Sequence, residues 1–299
     1  MTRILAMSDL HVDFKDNMRH MLSLSDSDYK DDCLIVAGDA CDDITKLEQL
    51  LSSLTSKFSH VSFVPGNHEL WVRRSEFADS LEKFNKIMAL CDDMGVHSRP
   101  FKVGSSASQV TVVPLFSWYR TDDSDPHSLK ITKVGEDWEN SPWADKYYCK
   151  WSAEWQADPA LAANYFAKLN VANIRQYDTP VISVSHFLPR RELIFNEQQH
   201  VDRFCRNNAV IPAFDSDPAP SFNFSRVAGC SLIDQQIRSL GSTMHVYGHQ
   251  HRNRNRIIDG VHYVSHCLGY ARERSILGHN SEPRVIWQDG DFIQPDQPA

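Results

Sequence analysis

Short apolar runs alternate with longer segments of helical periodicity along the first hundred residues. Arg3–Met7, Cys33–Ala37 and Val61–Val64 are runs of four or five mostly apolar residues, which is the length of a buried strand. Ile44–Phe58 and Ser75–Met94 carry apolar residues every three or four positions, which predicts helices. Strands that alternate with helices in this way are typical of βαβ units and a largely parallel sheet.

The second half of the chain continues this pattern less regularly. Its predicted strands are Val110–Leu115, Val181–Val184 and Met244–Tyr247, and its predicted helices are Ala160–Gln176 and Leu232–Leu240. The Asp-Gly pairs at 259–260 and 289–290 predict two hairpins with type I′ turns. Stretches 116–158 and 189–228 show no sustained periodicity. We interpret them as insertions in a single domain that spans residues 1–299.

Polar side chains that can bind metals follow five of the predicted strands. These segments are Asp9-Leu10-His11, Gly38-Asp39, Gly66-Asn67-His68-Glu69, Ser185-His186 and Gly248-His249-Gln250-His251. Because ligands of α/β sheets bind beyond the carboxyl ends of the strands, we expect these segments to converge. Two Asp, one Asn and four His of these segments give seven N and O ligands. Seven ligands are too many for one tetrahedral site, but they fit two metals that share a carboxylate. Such ligands suit two divalent or trivalent ions drawn from Mn, Fe, Zn, Co and Ni.

In this order the five segments resemble the calcineurin-like metallophosphoesterase superfamily. The matching motifs are D-x-H at 9–11, G-D-x-x-D at 38–42, G-N-H-E at 66–69, a lone histidine at 186 and G-H-x-H at 248–251. The match covers residues 9 to 251. The resemblance implies an α/β fold, a four-layer αββα sandwich of two mixed sheets, with the metal site at the carboxyl ends of the strands.

The resemblance also implies a role for each residue. Asp9, His11 and His251 would hold the first metal, Asn67, His186 and His249 would hold the second, and Asp39 would bridge them. His68 would be a catalytic residue, and Asp42 would orient it. Two such cations activate a bridging hydroxide for attack on phosphorus, while His68 stabilises the developing charge or protonates the leaving oxygen. The implied activity is hydrolysis of a phosphoric monoester or diester.

Charge narrows the class of substrate. The net charge is −8, from 31 Lys and Arg against 39 Asp and Glu, so a nucleic acid polymer is not an expected partner. We expect a small phosphorylated or nucleotide substrate instead. Arg120 follows a predicted strand and Arg252 adjoins His251, so these two arginines are the candidates for contact with the substrate phosphate.

Two further features bear on location and on competing functions. The seven cysteines include no C-x-x-C pair, which indicates reduced thiols and a cytoplasmic protein, and no apolar run approaches the roughly 20 residues that span a bilayer. A non-catalytic scaffold or binding protein of the same fold is the alternative function, and intact ligands argue against it. A mononuclear zinc hydrolase needs only three protein ligands, which leaves several of these residues without a role. The pattern does not predict an oligomeric state.

Overall fold

The structure is a computed structural model that describes residues 1–73, 76–122, 124–158, 160–213 and 222–295. Its strands are β1 (Arg3–Met7), β2 (Cys33–Ala37), β3 (His60–Val64), β4 (Phe101–Val103), β5 (Val110–Pro114), β6 (Val181–Val184), β7 (Met244–Tyr247), β8 (Arg254–Ile258), β9 (Val261–Ser265), β10 (Arg284–Gln288) and β11 (Asp291–Phe292). Its α-helices are α1 (Lys15–Leu22), α2 (Ile44–Lys57), α3 (Ser80–Asp93), α4 (Asp145–Tyr148), α5 (Ala153–Ala157), α6 (Ala160–Leu169), α7 (Gln198–His200), α8 (Ser231–Leu240) and α9 (Ala271–Leu277).

The strands form two mixed sheets. One sheet has the order β11-β10-β1-β2-β3, and the other has the order β4-β5-β6-β7-β9-β8. In the first sheet β1, β2 and β3 run parallel and β10 runs antiparallel to β1. In the second sheet β5, β6, β7 and β9 run parallel, with antiparallel strands at both edges. The carboxyl ends of β1, β2, β3, β6 and β7 are therefore available to build one site.

Each sheet is covered on both faces, and this explains its continuous apolar strands. In β1, Ile4 and Ala6 face the second sheet, while Leu5 and Met7 face the helices on the other side. The layer between the sheets also contains Ile35, Val64, Val112, Ile182, Val184, Val246 and Val264. The outer face of the second sheet packs against α6 and α8 through Phe166 and Ile237. The predicted four-layer αββα sandwich is thus confirmed.

Local capping sets where the helices begin and end. The Asp43 side chain accepts from the backbone of Thr45 and Lys46 at the start of α2, and Gly241 ends α8 with a φ of 63°. The third helix was predicted from Ser75, which lies outside the described residues. The helix begins at Ser80, after Asp79 caps the Glu82 N–H. Both Asp-Gly hairpins form as predicted, between β8 and β9 and between β10 and β11.

The two stretches without periodicity pack on the outer face of the second sheet. Trp118 and Tyr119 from the first stretch join Phe187, Leu188 and Val227 in one apolar cluster. Residues 123 and 214–221 of these stretches lie outside the described part of the chain. The interpretation of one domain with two insertions stays a prediction. Among the described residues, every helix is too short or too polar to cross a membrane.

Candidate metal centre

Backbone hydrogen bonds bring the strand-end loops together. The Asp9 N–H donates to the Gly38 carbonyl at 2.8 Å, and the His11 N–H donates to the Asp39 carbonyl at 3.0 Å. Across the two sheets, the His249 N–H donates to the Asp9 carboxylate at 2.9 Å. The loops after β1, β2 and β7 therefore hold one another in place.

The ligand atoms predicted from the sequence fall into two groups that share Asp39, and a third group of possible ligands, Asp13, Cys41 and Asp42, lies apart from them. One group contains Asp9, His11, Asp39 and His251, and the other contains Asp39, His186 and His249. Within each group the ligand atoms all lie within 4.8 Å of one another. The structure therefore brings together the six charged or imidazole ligands predicted from the sequence, and it places Asp39 between the two groups.

Most of these residues have an unusual backbone conformation. The φ angles are 51° at Asp9, 43° at His11, 52° at Asp39, 75° at His249 and 52° at His251. Residues other than glycine rarely adopt positive φ, and such strained conformations concentrate at functional sites. The loop after β3 also requires a glycine, since a Cβ at Gly66 would lie 2.2 Å from the Asp39 carboxylate.

Hydrogen bonds to the backbone orient two of the imidazoles. His186 Nδ1 lies 2.9 Å from the Ala37 carbonyl, and His249 Nε2 lies 3.0 Å from the Val227 carbonyl. Because a carbonyl can only accept, each of these ring nitrogens carries the proton. The other nitrogens, His186 Nε2 and His249 Nδ1, face each other at 3.2 Å, and each can offer a lone pair to an ion once it is deprotonated. Histidines that ligate metals typically donate their other ring N–H to a carbonyl or carboxylate in this way.

The other group shows the same arrangement. His251 Nδ1 lies 2.7 Å from the Glu273 carboxylate, and its Nε2 faces His11 Nε2 at 2.9 Å. His11 Nδ1 is buried and has no hydrogen-bond partner among the described residues. Tyr270 stacks on the His11 ring at 4.6 Å and shields it. Ring nitrogens that converge beside buried carboxylates are, once deprotonated, a donor set that fits transition-metal ions.

Asn67 and Glu69 complete the centre. The Asn67 side-chain oxygen lies 3.3 Å from His186 Nε2, while its amide nitrogen donates to Asp145 at 2.9 Å. Glu69 is fully buried and accepts from three backbone N–H groups, those of Asp39, Cys41 and Gly66. The Glu69 carboxylate therefore joins the loop after β2 to the loop after β3.

The charges of the centre shift the pKa of its members in opposite directions. Burial alone would raise the pKa of Asp39, but neighbouring His186 and His68 outweigh it and hold this pKa well below its usual range. Burial would lower the pKa of His251, but Asp9 and Glu273 raise it to about 10. Burial dominates at His249 and lowers its pKa to about 3. The centre thus mixes anionic carboxylates with imidazoles of very different basicity.

His68 lies beside the centre rather than in either ligand group. Its backbone N–H donates to Asp39 at 2.9 Å, its Nε2 lies 3.8 Å from the Asp39 carboxylate, and its ring stacks on Trp71 at 3.6 Å. Asp42 was expected to orient His68, but the structure pairs its carboxylate with Asp13 and with Arg73 at 2.9 Å. Among the described contacts, Trp71 and Asp39 position the His68 ring.

The two candidate phosphate contacts are placed differently. Arg120 is 6% exposed, and its guanidinium is bonded to Asp125 and Asn164. The structure therefore does not bring it to the centre. Arg252 is exposed next to His251 and donates to the His251 carbonyl at 3.0 Å. Its contact with substrate stays a prediction.

A cleft of about 240 Å³ opens onto the centre. It is lined by Asp39, Asn67, His68, Trp143, Phe224, His249, Gln250, His251, Tyr270 and Glu273. The aromatic residues of this lining and Glu273 were not predicted, because they come from segments without a motif. Asp145 was missed for the same reason. In contrast to these residues, Glu69 stands in a motif that the sequence shows, as the last residue of G-N-H-E.

The chain resembles one mycobacterial protein both in sequence and in structure. "[Acyl-carrier-protein] phosphodiesterase PptH" of Mycobacterium tuberculosis is 26% identical over 281 residues, which are 90% of this chain and 78% of the relative. The crystal structure of Phosphopantetheinyl Hydrolase (PptH) from Mycobacterium tuberculosis superposes with a TM-score of 0.71 at 24% identity. It covers 98% of this chain and 99% of that one, so the two share the fold.

The family profile of the calcineurin-like phosphoesterases matches residues 2–253, which is most of the chain. The matched region contains every motif that builds the centre, from the loop after β1 to the loop after β7. The structure places the side chains of those motifs together, with two candidate groups of metal ligands. The chain therefore belongs to the calcineurin-like phosphoesterase family and is a metal-dependent hydrolase of phosphoric esters.

Proposed function

We propose that the chain hydrolyses a phosphodiester, and that its substrate is a phosphopantetheinyl group attached to a carrier protein. The observation that carries the proposal is the pair of ligand groups that share Asp39 at the floor of an aromatic cleft. The printed names of the mycobacterial relative and its structure, a phosphodiesterase of acyl carrier protein and a phosphopantetheinyl hydrolase, support this substrate class.

Each ligand group would hold one metal ion. Asp9, His11 and His251 would bind one ion, Asn67, His186 and His249 would bind the other, and Asp39 would contact both. When bound, such ions lower the pKa of coordinated water and neutralise charge on the phosphoryl oxygens. The protein supplies the geometry, since Glu273 and the carbonyls of Ala37 and Val227 fix the ligand nitrogens.

His68 would act on the substrate itself. Its ring lies at the edge of the centre, and the cleft gives it access to a bound phosphoryl group. From this position it can donate a hydrogen bond to a phosphoryl oxygen or a proton to the leaving oxygen. Stacking on Trp71 and contact with Asp39 restrict the ring, so little ordering is required in the transition state.

The lining of the cleft favours a diester over a monoester. Among the described residues that line it, none is Lys or Arg, and Trp143, Phe224 and Tyr270 are aromatic. A monoester dianion gains most from extra cationic side chains such as arginine. A diester carries one negative charge and an organic group on each side, which suits aromatic walls. Of the monoester and diester substrates left open by the sequence, a diester such as the phosphopantetheinyl group therefore fits this lining better.

The products follow from the bond that breaks. Water adds across the bond between phosphorus and the oxygen of the carrier protein. The hydroxyl goes to phosphorus and the proton goes to that oxygen. The carrier regains its hydroxyl, and phosphopantetheine leaves as a monoester.

A cytoplasmic location stays a prediction, supported by the seven cysteines, all of which are free thiols.

Two substrate comparisons test the proposal. Metal-loaded protein should cleave bis-para-nitrophenyl phosphate faster than para-nitrophenyl phosphate. With a phosphopantetheinylated acyl carrier protein, mass spectrometry should show loss of the whole phosphopantetheinyl group. His186→Ala serves as the inactive control for contaminating hydrolases. Preference for the monoester together with an unchanged carrier protein would refute the proposed substrate while leaving the family intact.

A further inference from the structure

A buried carboxylate from outside the family motifs reaches the centre. Asp145 begins the short helix α4 in the stretch 116–158, and it is 3% exposed. Its Oδ1 accepts from the Asn67 amide at 2.9 Å and from Trp71 Nε1 at 2.6 Å. Asp145 lies 78 positions from Asn67 in the chain, and it contacts the amide among the proposed ligands of the centre.

This hydrogen bond decides which end of the Asn67 amide faces the centre. The amide has one group that donates and one that accepts, and a carboxylate can only accept. The nitrogen must therefore point to Asp145, which turns the oxygen toward His186 Nε2 at 3.3 Å. The flipped amide would place its oxygen against a carboxylate and present N–H groups, which cannot bind a cation.

The helix that carries Asp145 is fixed against the loop it contacts. The Val72 N–H donates to the Tyr148 carbonyl at 2.7 Å, and the Lys150 N–H donates to the Ser80 hydroxyl at 2.9 Å. Both bonds lie three to five residues after Asp145, and they fix the end of α4 against the segment after β3. The Asp145 carboxylate is buried and bonded to both Asn67 and Trp71, so its position is fixed by contacts with the centre as well as by its own helix.

We propose that Asp145 is a positioning residue, whose carboxylate holds the Asn67 amide so that its oxygen serves the second metal position. The inference rests on the assignment of Asn67 to that position in the proposed function. It makes the stretch 116–158 part of the metal centre, because without Asp145 the amide is free to rotate. The first position, formed by Asp9, His11 and His251, has no contact with Asp145 among the described residues.

Metal titration of the full chain tests this role without reference to catalysis. Mn²⁺ is added to chelator-treated protein, and electron paramagnetic resonance distinguishes free ions, single bound ions and spin-coupled pairs. In Asp145→Ala the first ion should bind as in the wild type, and the second should bind about 10–100-fold more weakly. Asp145→Asn should lie between, because its side-chain oxygen can still accept from Asn67.

Two further variants separate positioning from a general structural effect. Asn67→Ala should reproduce the loss seen in Asp145→Ala, and the double variant should lose no more than either one. Lys146→Ala is the matched control. It removes an exposed side chain on the same helix, which the structure describes in contact with the Trp138 and Glu139 carbonyls and the Trp138 ring, and this variant should bind both ions normally.

Wild-type affinity for the second ion in both Asp145 variants would overturn the inference, and so would additive losses in the double variant. If circular dichroism shows that Asp145→Ala is unfolded, then Asp145→Asn and its additivity with Asn67→Ala decide the question. If the wild type binds only one ion, the inference fails. If it binds two ions but cleaves no diester, the proposed substrate fails and the role of Asp145 stands.

Discussion

Five residues assigned to the centre hold a backbone conformation that their side chains disfavour. A positive φ at a residue other than glycine costs on the order of 1–3 kcal/mol, and it persists only where the surroundings enforce it. Here neighbouring loops enforce it, as where the Asp9 carboxylate accepts the His249 N–H. The ligands are therefore preorganised before any ion arrives, which reduces the ordering required on binding.

At the scale of single residues, His68 gives a testable prediction. Because it stacks beside the centre without belonging to either ligand group, His68→Ala should lose about 10²–10⁴ in kcat toward a diester. The metal content should remain that of the wild type, as measured by elemental analysis. His200→Ala, which removes a histidine from the distant helix α7, is the control. Full activity in His68→Ala would show that the residue has no catalytic role.

The sequence predicts the ligands but not their supporting residues. Asp39 and His186 were found because each follows an apolar strand in a recognisable motif. Asp145 and Glu273 act across 78 and 22 positions of the chain, and neither stands in a local pattern that indicates its contact. The resemblance implies that Asp42 orients His68, and this role stays a prediction, because the described contacts of Asp42 are with Asp13 and Arg73.

At the scale of elements, strands were easier to predict than helix ends. β1, β2, β6 and β7 have the predicted bounds, because a buried strand between two layers is a continuous apolar run. The predicted helix 160–176 ends instead at Leu169. Asn170 bonds both backbone groups of Phe116, at 2.9 and 2.8 Å, and this tertiary contact overrides the local propensity. Long-range contacts of this kind leave no trace in periodicity.

Glu69 links two of these elements and gives a prediction about stability. Glu69→Gln would place an amide N–H₂ against backbone donors, and we expect it to lower the free energy of unfolding by about 1–3 kcal/mol. Urea unfolding at pH 8 measures this, because burial and Asp39 raise the Glu69 pKa to about 7. The control Glu82→Gln keeps an oxygen that can accept from the Ala78 N–H at an exposed site, and it should change stability by less than about 1 kcal/mol. Equal losses in both variants would rule out the proposed link.

The whole molecule should become less stable in acid, in part through one histidine distant from the cleft. His245 is fully buried between the Ser183 and Ser185 hydroxyls, and burial lowers its pKa to about 3. In the unfolded chain the ordinary value is about 6.5, so the unfolded state binds more protons between these two values. Stability from this residue is complete above pH 6.5 and falls as the pH drops, by about 1.4 kcal/mol per unit.

Substitution of His245 should remove this dependence. The unfolding free energy of His245→Gln, measured in urea from pH 7.5 to pH 5, should fall less steeply than that of the wild type. Ser183→Ala breaks one of the two contacts and keeps the imidazole, so it should be less stable throughout with an unchanged slope. Identical slopes for His245→Gln and the wild type would contradict the assignment.

The charges of the cleft also determine the order in which metal ions and substrate bind. Its described lining holds no lysine or arginine, it contains Asp39 and Glu273, and the chain as a whole carries a net charge of −8. Before the ions bind, the protonated His251 of the lining is already paired with Glu273, so a phosphate anion finds little attraction and we expect loading of ions to precede capture of substrate. When metal is scarce, substrate binding is therefore weakened as well as turnover. Metal supply then controls the enzyme at the step of substrate binding.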